Sequence, residues 1–152
     1  MRVLAIDPGN EQSAWVEWDG QTIRNHGKGP NADVLEVIPA CNPDVLAVEE
    51  ICSFGMPVGR EVFHTCIWTG RFLQVAESFN IPYELIPRRE VKLYLCNSLR
   101  AKDSNVRQAL IDKVGPQGTK KHPGPTYGIK ADTWQALGLA VTALQQELAG
   151  AF

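Results

Sequence analysis

The run Val3-Leu4-Ala5-Ile6-Asp7-Pro8-Gly9, read with Val45-Leu46-Ala47-Val48-Glu49-Glu50, decides the fold. Each is a short apolar stretch of strand length that ends on an acid. A carboxylate at the end of a buried strand is costly unless something cationic meets it. A third acid, Asp132, stands where Lys130-Ala131 gives way to the apolar helix pattern Trp134-Gln135-Ala136-Leu137-Gly138-Leu139-Ala140-Val141. Three carboxylates far apart in sequence but able to converge point to a divalent-metal site with oxygen ligands.

Working outward, Pro8-Gly9-Asn10 is turn chemistry, and Ser13-Ala14-Trp15-Val16-Glu17-Trp18 reads as a second strand. Asp19-Gly20 then predicts a hairpin leading into Thr22-Ile23-Arg24. A short helix over residues 31–38 is expected to stop near Pro39, before the strand 45–51. Residues 53–59 form a loop, and a long helix follows over 58–79. Residues 81–86 make the last strand and 88–95 a helix. Asp103 or Ser104 can cap a helix that ends at Gly115-Pro116. Residues 117–128 are a loop, and the final helix spans 131–148. This order, β-β-β-α-β-α-β-α-α-α, predicts an α/β fold with a central mixed five-stranded sheet and helices on both faces. Adjacent parallel strands then set Asp7 beside Glu49, with Asp132 brought against them from the final helix.

A chain of 152 residues, 44% apolar and 21% charged, reads as a single globular domain over 1–152. It has no apolar stretch of membrane length, and Met1-Arg2 runs directly into a strand pattern, so a cytoplasmic location is expected. The cysteines 41, 52, 66 and 96 form no C-x-x-C pair and read as buried free thiols. The net charge of −2 conceals a strong segregation. Residues 1–86 carry 5 basic and 12 acidic side chains, whereas residues 87–130 carry 10 basic and 3 acidic ones. Such a division is the electrostatic footprint of a protein that meets a polyanion.

Phosphodiester hydrolysis needs an activated water and a stabilised leaving oxygen, which two Mg²⁺ ions about 3.5–4 Å apart supply. Asp7, on a rigid strand, is the natural bridging ligand, with Glu49 and Asp132 each completing one ion's shell. Glu50 points to the opposite face by strand alternation. Lys120 and Lys121, in a glycine- and proline-rich loop, suit sequence-independent phosphate contacts. Phe54 follows the Glu49-Glu50 strand and can wedge between bases or pack as a lid. The helix over 58–79 carries one apolar set at Val62, Cys66, Leu73 and Ala76 and another at Phe63, Ile67, Val75 and Phe79, with Trp68 and Phe72 besides. A second apolar face predicts a self-complementary homodimer interface.

Taken in order, Ala5-Ile6-Asp7-Pro8-Gly9, Asp44–Glu50, Pro87-Arg88-Arg89-Glu90-Val91-Lys92 and Asp132–Ala140 resemble the RuvC-type Holliday-junction resolvases of the ribonuclease H-like superfamily. The short chain, with its Lys120-Lys121-His122-Pro123-Gly124-Pro125 loop, looks like a phage or prophage version, which would place it in a bacterial host's cytoplasm. The resemblance implies a homodimer that nicks opposed strands of a four-way DNA junction using Mg²⁺ or Mn²⁺. It assigns metal binding to Asp7, Glu49 and Asp132, and places Lys92 by the scissile phosphate. Arg88, Arg89, Lys92, Lys102, Lys120, Lys121 and Phe54 then become the nucleic-acid contacts. A second active-site lysine of the family falls on Asp103, beside Lys102. The family's second acid on the final helix falls on Gln135, which offers one carbonyl oxygen and no charge. Metal binding there would rely on Gln135 itself or on Glu50, Glu11 or His122. Two alternatives stay open: a catalytically weakened junction-binding protein, and a nuclease on other branched DNA or RNA–DNA hybrids.

Overall fold

The computed structural model describes residues 1–150; positions 151–152 of the expected 1–152 unit lie outside the described residues. The elements are β1 (Val3–Asp7), β2 (Gln12–Trp18), β3 (Ile23–Pro30), α1 (Asn31–Cys41), β4 (Val45–Glu50), α2 (Arg60–Ser78), β5 (Tyr83–Pro87), α3 (Arg88–Cys96), α4 (Asp103–Val114) and α5 (Asp132–Gly150). They form a five-stranded sheet in the order β3-β2-β1-β4-β5. β1 pairs antiparallel with β2 and parallel with β4, so the sheet is mixed as expected.

Alternation along the strands divides the core in two. Val3, Ala5, Val45, Ala47 and Val16 face α5, with Val91 of α3 and Val106 and Leu110 of α4 completing that layer. Leu4, Ile6, Leu46 and Val48 face the other way, onto Val34 and Ile38 of α1 and Phe72 and Ala76 of α2. α5 is buried around nearly its whole circumference from Thr133 to Leu144. Gly138 lets it approach α3 closely, since a Cβ there would stand 3.2 Å from Val91. Among the described residues no helix is long and apolar enough to cross a membrane.

Several local expectations are corrected. α1 runs through Pro39 to Cys41, because a proline in the last turn costs a single backbone hydrogen bond, and Asn42 ends the helix in the left-handed region. Neither Asp103 nor Ser104 caps α4. Lys102 holds that position, its N–H donating to the Asn105 side chain at 2.9 Å. β3 extends to Pro30, far beyond the expected Arg24. The cysteines are free, but none is fully buried, and Cys66 is exposed rather than part of the packed face of α2. That helix buries Thr65, Phe72 and Ala76 instead.

Candidate metal centre

The centre is built from the sheet register. Asp7 pairs with Ala14, and Ala14 with Lys28. On the other side Ile6 pairs with Val48, so one step further the same register sets Asp7 beside Glu49. Directly opposed residues share a face. Lys28, Ala14, Asp7 and Glu49 therefore form one row across the sheet, on the face covered by α5. Glu50 alternates to the opposite face and is exposed, as expected.

The turn after Asp7 is fixed tightly. A Cβ on Gly9 would lie 2.2 Å from the Gln12 carbonyl oxygen, so only glycine fits. The Gly9 N–H donates to Ser13 Oγ at 3.1 Å, and Asn31 Nδ2 donates to the Gly9 carbonyl at 2.9 Å. From the other side, Ala131 takes a left-handed φ of 48° immediately before Asp132. That conformation costs an alanine about 1–2 kcal/mol, and it sets the first residue of α5 over the sheet.

Two cations meet the acids. Arg88 Nε donates to Glu49 Oε1 at 2.9 Å, and Lys28 Nζ to Asp132 Oδ2 at 2.6 Å. Among the described residues no cation is hydrogen-bonded to Asp7. Burial, and then the neighbouring Glu49 charge, raise its carboxyl from 3.8 to about 7; Asp132 adds to the rise, while Arg88 and Lys28 oppose it. A buried carboxylate pressed by two others is short of positive charge, which is the condition a hard cation relieves. Yet among the described residues no three acidic, histidine or cysteine side chains stand close enough to hold one ion together. The ion pair with Lys28 engages Asp132 separately. Asp7 and Glu49 thus offer a hard cation two neighbouring carboxylates, while Asp132 is ion-paired with Lys28.

Beside the centre, Arg88, Asp103, Ser104, Arg107, Asp132 and Gln135 line an open cleft of about 300 Å³. Arg88, expected as a phosphate contact, is the partner of Glu49. Lys92 lies one turn further along α3, in an apolar groove with Phe54, Arg88, Arg89 and Leu99. Phe54 is 71% exposed, with the Arg89 guanidinium 6.0 Å from its ring centre. Lys102, Lys120, Lys121 and His122 are exposed, and Glu11 is exposed at the start of the β2 side. The loop carrying Lys120 and Lys121 is pinned by backbone bridging of Gly118 with Pro123. A Cβ on Gly124 would meet the Pro116 carbonyl at 2.1 Å. Sequence reasoning missed Lys28 and Arg107. The signal for Lys28 lay in the hairpin register, which the expected strand was too short to carry.

No protein-family model and no curated protein matches this sequence. Solved structures do resemble it. RuvC of Thermus thermophilus superposes with a TM-score of 0.74 at 22% identity, covering 99% of this chain and 97% of that one. A second T. thermophilus RuvC structure, in complex with a Holliday junction substrate, gives 0.77 at 20% identity, with 99% and 96% covered. The yeast mitochondrial Holliday junction resolvase Ydc2 gives 0.65 at 15% identity, with 98% and 82% covered. The mixed sheet and its flanking helices are thus those of the RuvC, ribonuclease H-like fold.

Proposed function

We propose that this chain is a divalent-metal-dependent, structure-specific DNA endonuclease that resolves four-way junctions as a homodimer. The observation that carries the reading is Asp7, a buried strand-end carboxylate beside Glu49 and short of positive charge, in the fold of junction resolvases. Asp7 and Glu49 hold Mg²⁺ or Mn²⁺. When bound, such an ion supplies Lewis acidity at the phosphate and an activated water.

The chain's own residues do the rest. Arg88 fixes Glu49 through its Oε1, and among the described residues Oε2 accepts no hydrogen bond. Lys92 stabilises charge developing on the phosphate, and Arg89, Lys102, Lys120 and Lys121 position the DNA backbone. Phe54 offers an exposed ring for base stacking, worth about 1–3 kcal/mol per base. α2 supplies the dimer contact through Phe63 and Ile67, which are 59% and 60% exposed. Charge reversal of both Lys120 and Lys121 to Glu is expected to weaken junction binding about equally for all sequences. It should also flatten the salt dependence by a slope of about 1–2, read from gel shifts at several salt concentrations.

A second reading is favoured by Gln135 and by the diversion of Asp132 to Lys28: a junction-binding protein that cleaves poorly. Cleavage of a labelled mobile four-way junction, beside linear duplex, a flap and an RNA–DNA hybrid, in Mg²⁺ and Mn²⁺ separates the readings. Paired symmetric nicks on the junction alone support the resolvase. Tight binding without nicks by the wild-type chain overturns it in favour of the binder. Cuts on flap or hybrid at comparable rates point to a broader nuclease.

A further inference from the structure

Lys28 lies on an edge strand, two strands away from Asp7, yet its ammonium reaches the acidic centre. Neighbouring strands stand about 4.8 Å apart, and the residue between them is Ala14, whose small side chain is buried and leaves the path over the sheet open. The ammonium ends 2.6 Å from Asp132 Oδ2. Across the centre, Arg88 holds Glu49 at 2.9 Å. Three carboxylates thus meet two protein cations, and a single negative charge is left over. That charge resides at Asp7, which among the described residues is ion-paired with no cation.

We propose that Lys28 takes the place of a second metal ion: the centre holds one divalent ion, on Asp7 and Glu49, while the Lys28 ammonium neutralises Asp132. A second ion at Asp132 would have to displace this ammonium from a pair whose side chains are 40% and 53% exposed. It would then find Gln135 one turn along α5, with a carbonyl oxygen and no charge. Mg²⁺ and Mn²⁺ draw their affinity from anionic oxygens, and the other carboxylate lining this cleft, Asp103, shares it with the Arg88 and Arg107 guanidiniums. A tethered ammonium costs nothing in ion concentration and is present before DNA arrives. The inference deepens the endonuclease reading and rests on it for the chemistry, though the ion count can be measured without it.

The test counts Mn²⁺ bound per protomer, by electron paramagnetic resonance of free Mn²⁺ and by titration calorimetry, on the folded chain without DNA. Wild type and Lys28→Arg are expected to bind one ion. The double variant Lys28→Met with Gln135→Asp is expected to bind two. Lys28→Met alone should tighten the first ion by about five- to tenfold, since a nearby positive charge is removed. Two ions on the wild-type chain, or one on a folded double variant, overturn the inference. If the double variant fails to fold, the wild-type count and the Lys28→Met affinity still decide. Parallel junction cleavage keeps the two claims apart. One ion with no nicks leaves the metal count standing and refutes the endonuclease. Two ions with paired nicks do the reverse, and no bound ion on the wild-type chain overturns both.

Discussion

Asp7→Asn is expected to abolish junction cleavage, by about a thousandfold or more, while making the metal-free protein more stable at pH 8. The first effect follows from charge. Losing an anionic ligand forfeits several kcal/mol of transition-state stabilisation, and each 1.4 kcal/mol is about tenfold in rate. The second follows from the raised carboxyl of Asp7, about 7 in the folded chain against an ordinary 3.8. Between those values the native state binds more protons than the unfolded one, so stability falls as pH rises through the window. Above it Asp7 is charged among Glu49 and Asp132, and the full cost is present. Asparagine removes that cost, a gain of about 2–4 kcal/mol at pH 8 that vanishes below about pH 4. Urea denaturation in chelator at pH 8 and pH 4 measures it, beside a cleavage assay in Mn²⁺. An asparagine variant no more stable than wild type at pH 8 would refute the electrostatic account of the centre.

In the proposed homodimeric nuclease, Ile67→Glu is expected to give a monomer that would still bind metal but no longer nick both strands together. Phe63 and Ile67 lie one turn apart on α2 and are both exposed, while the packed side of the helix is held by Thr65, Phe72 and Ala76. Gly70 continues the outer stripe with open space beyond it, so a second helix can approach closely. In a two-fold interface each substitution occurs twice, and two buried charges then face the same apolar patch. Burying each without a partner costs about 2–3 kcal/mol or more, enough to weaken the dimer at least about a thousandfold. Sedimentation across a concentration series reads the assembly. Paired nicks should fall to single, uncoupled cuts, while the unfolding midpoint stays close to wild type. A wild-type chain that sediments as a monomer at all concentrations, or an Ile67→Glu dimer, would remove α2 from the interface.

The sequence was informative where apolar alternation and burial coincide. β1, β4 and α5 are continuous apolar runs whose acids sit at their ends, so Asp7, Glu49 and Asp132 could be placed from pattern alone. β3 was not legible. Its His26 and Lys28 face one side, Asn25, Gly27 and Gly29 the other, and Arg24 falls at a bulge, with no apolar residue between Ile23 and Pro30. An edge strand gains its order from backbone pairing, which leaves no hydrophobic signature. Lys28 was therefore invisible, and with it the ion pair that engages Asp132. Arg88 was expected as a phosphate contact, and its ion pair with Glu49 was not foreseen, because its spacing after β5 carries no sign of which anion it meets. The end of α1 was missed for a different reason: Pro39 reads as a stop, yet one lost hydrogen bond in a final turn is cheap.

Because the acidic row is made by strand alignment, a slip of one residue between β1 and either neighbour would turn its members to opposite sides of the sheet. Asp7 would then face away from Glu49 or from Lys28, and the row is complete only when both pairings of β1 are in register. Under the proposed metal-dependent cleavage, a chain whose β1–β4 alignment is incomplete would be inert toward DNA.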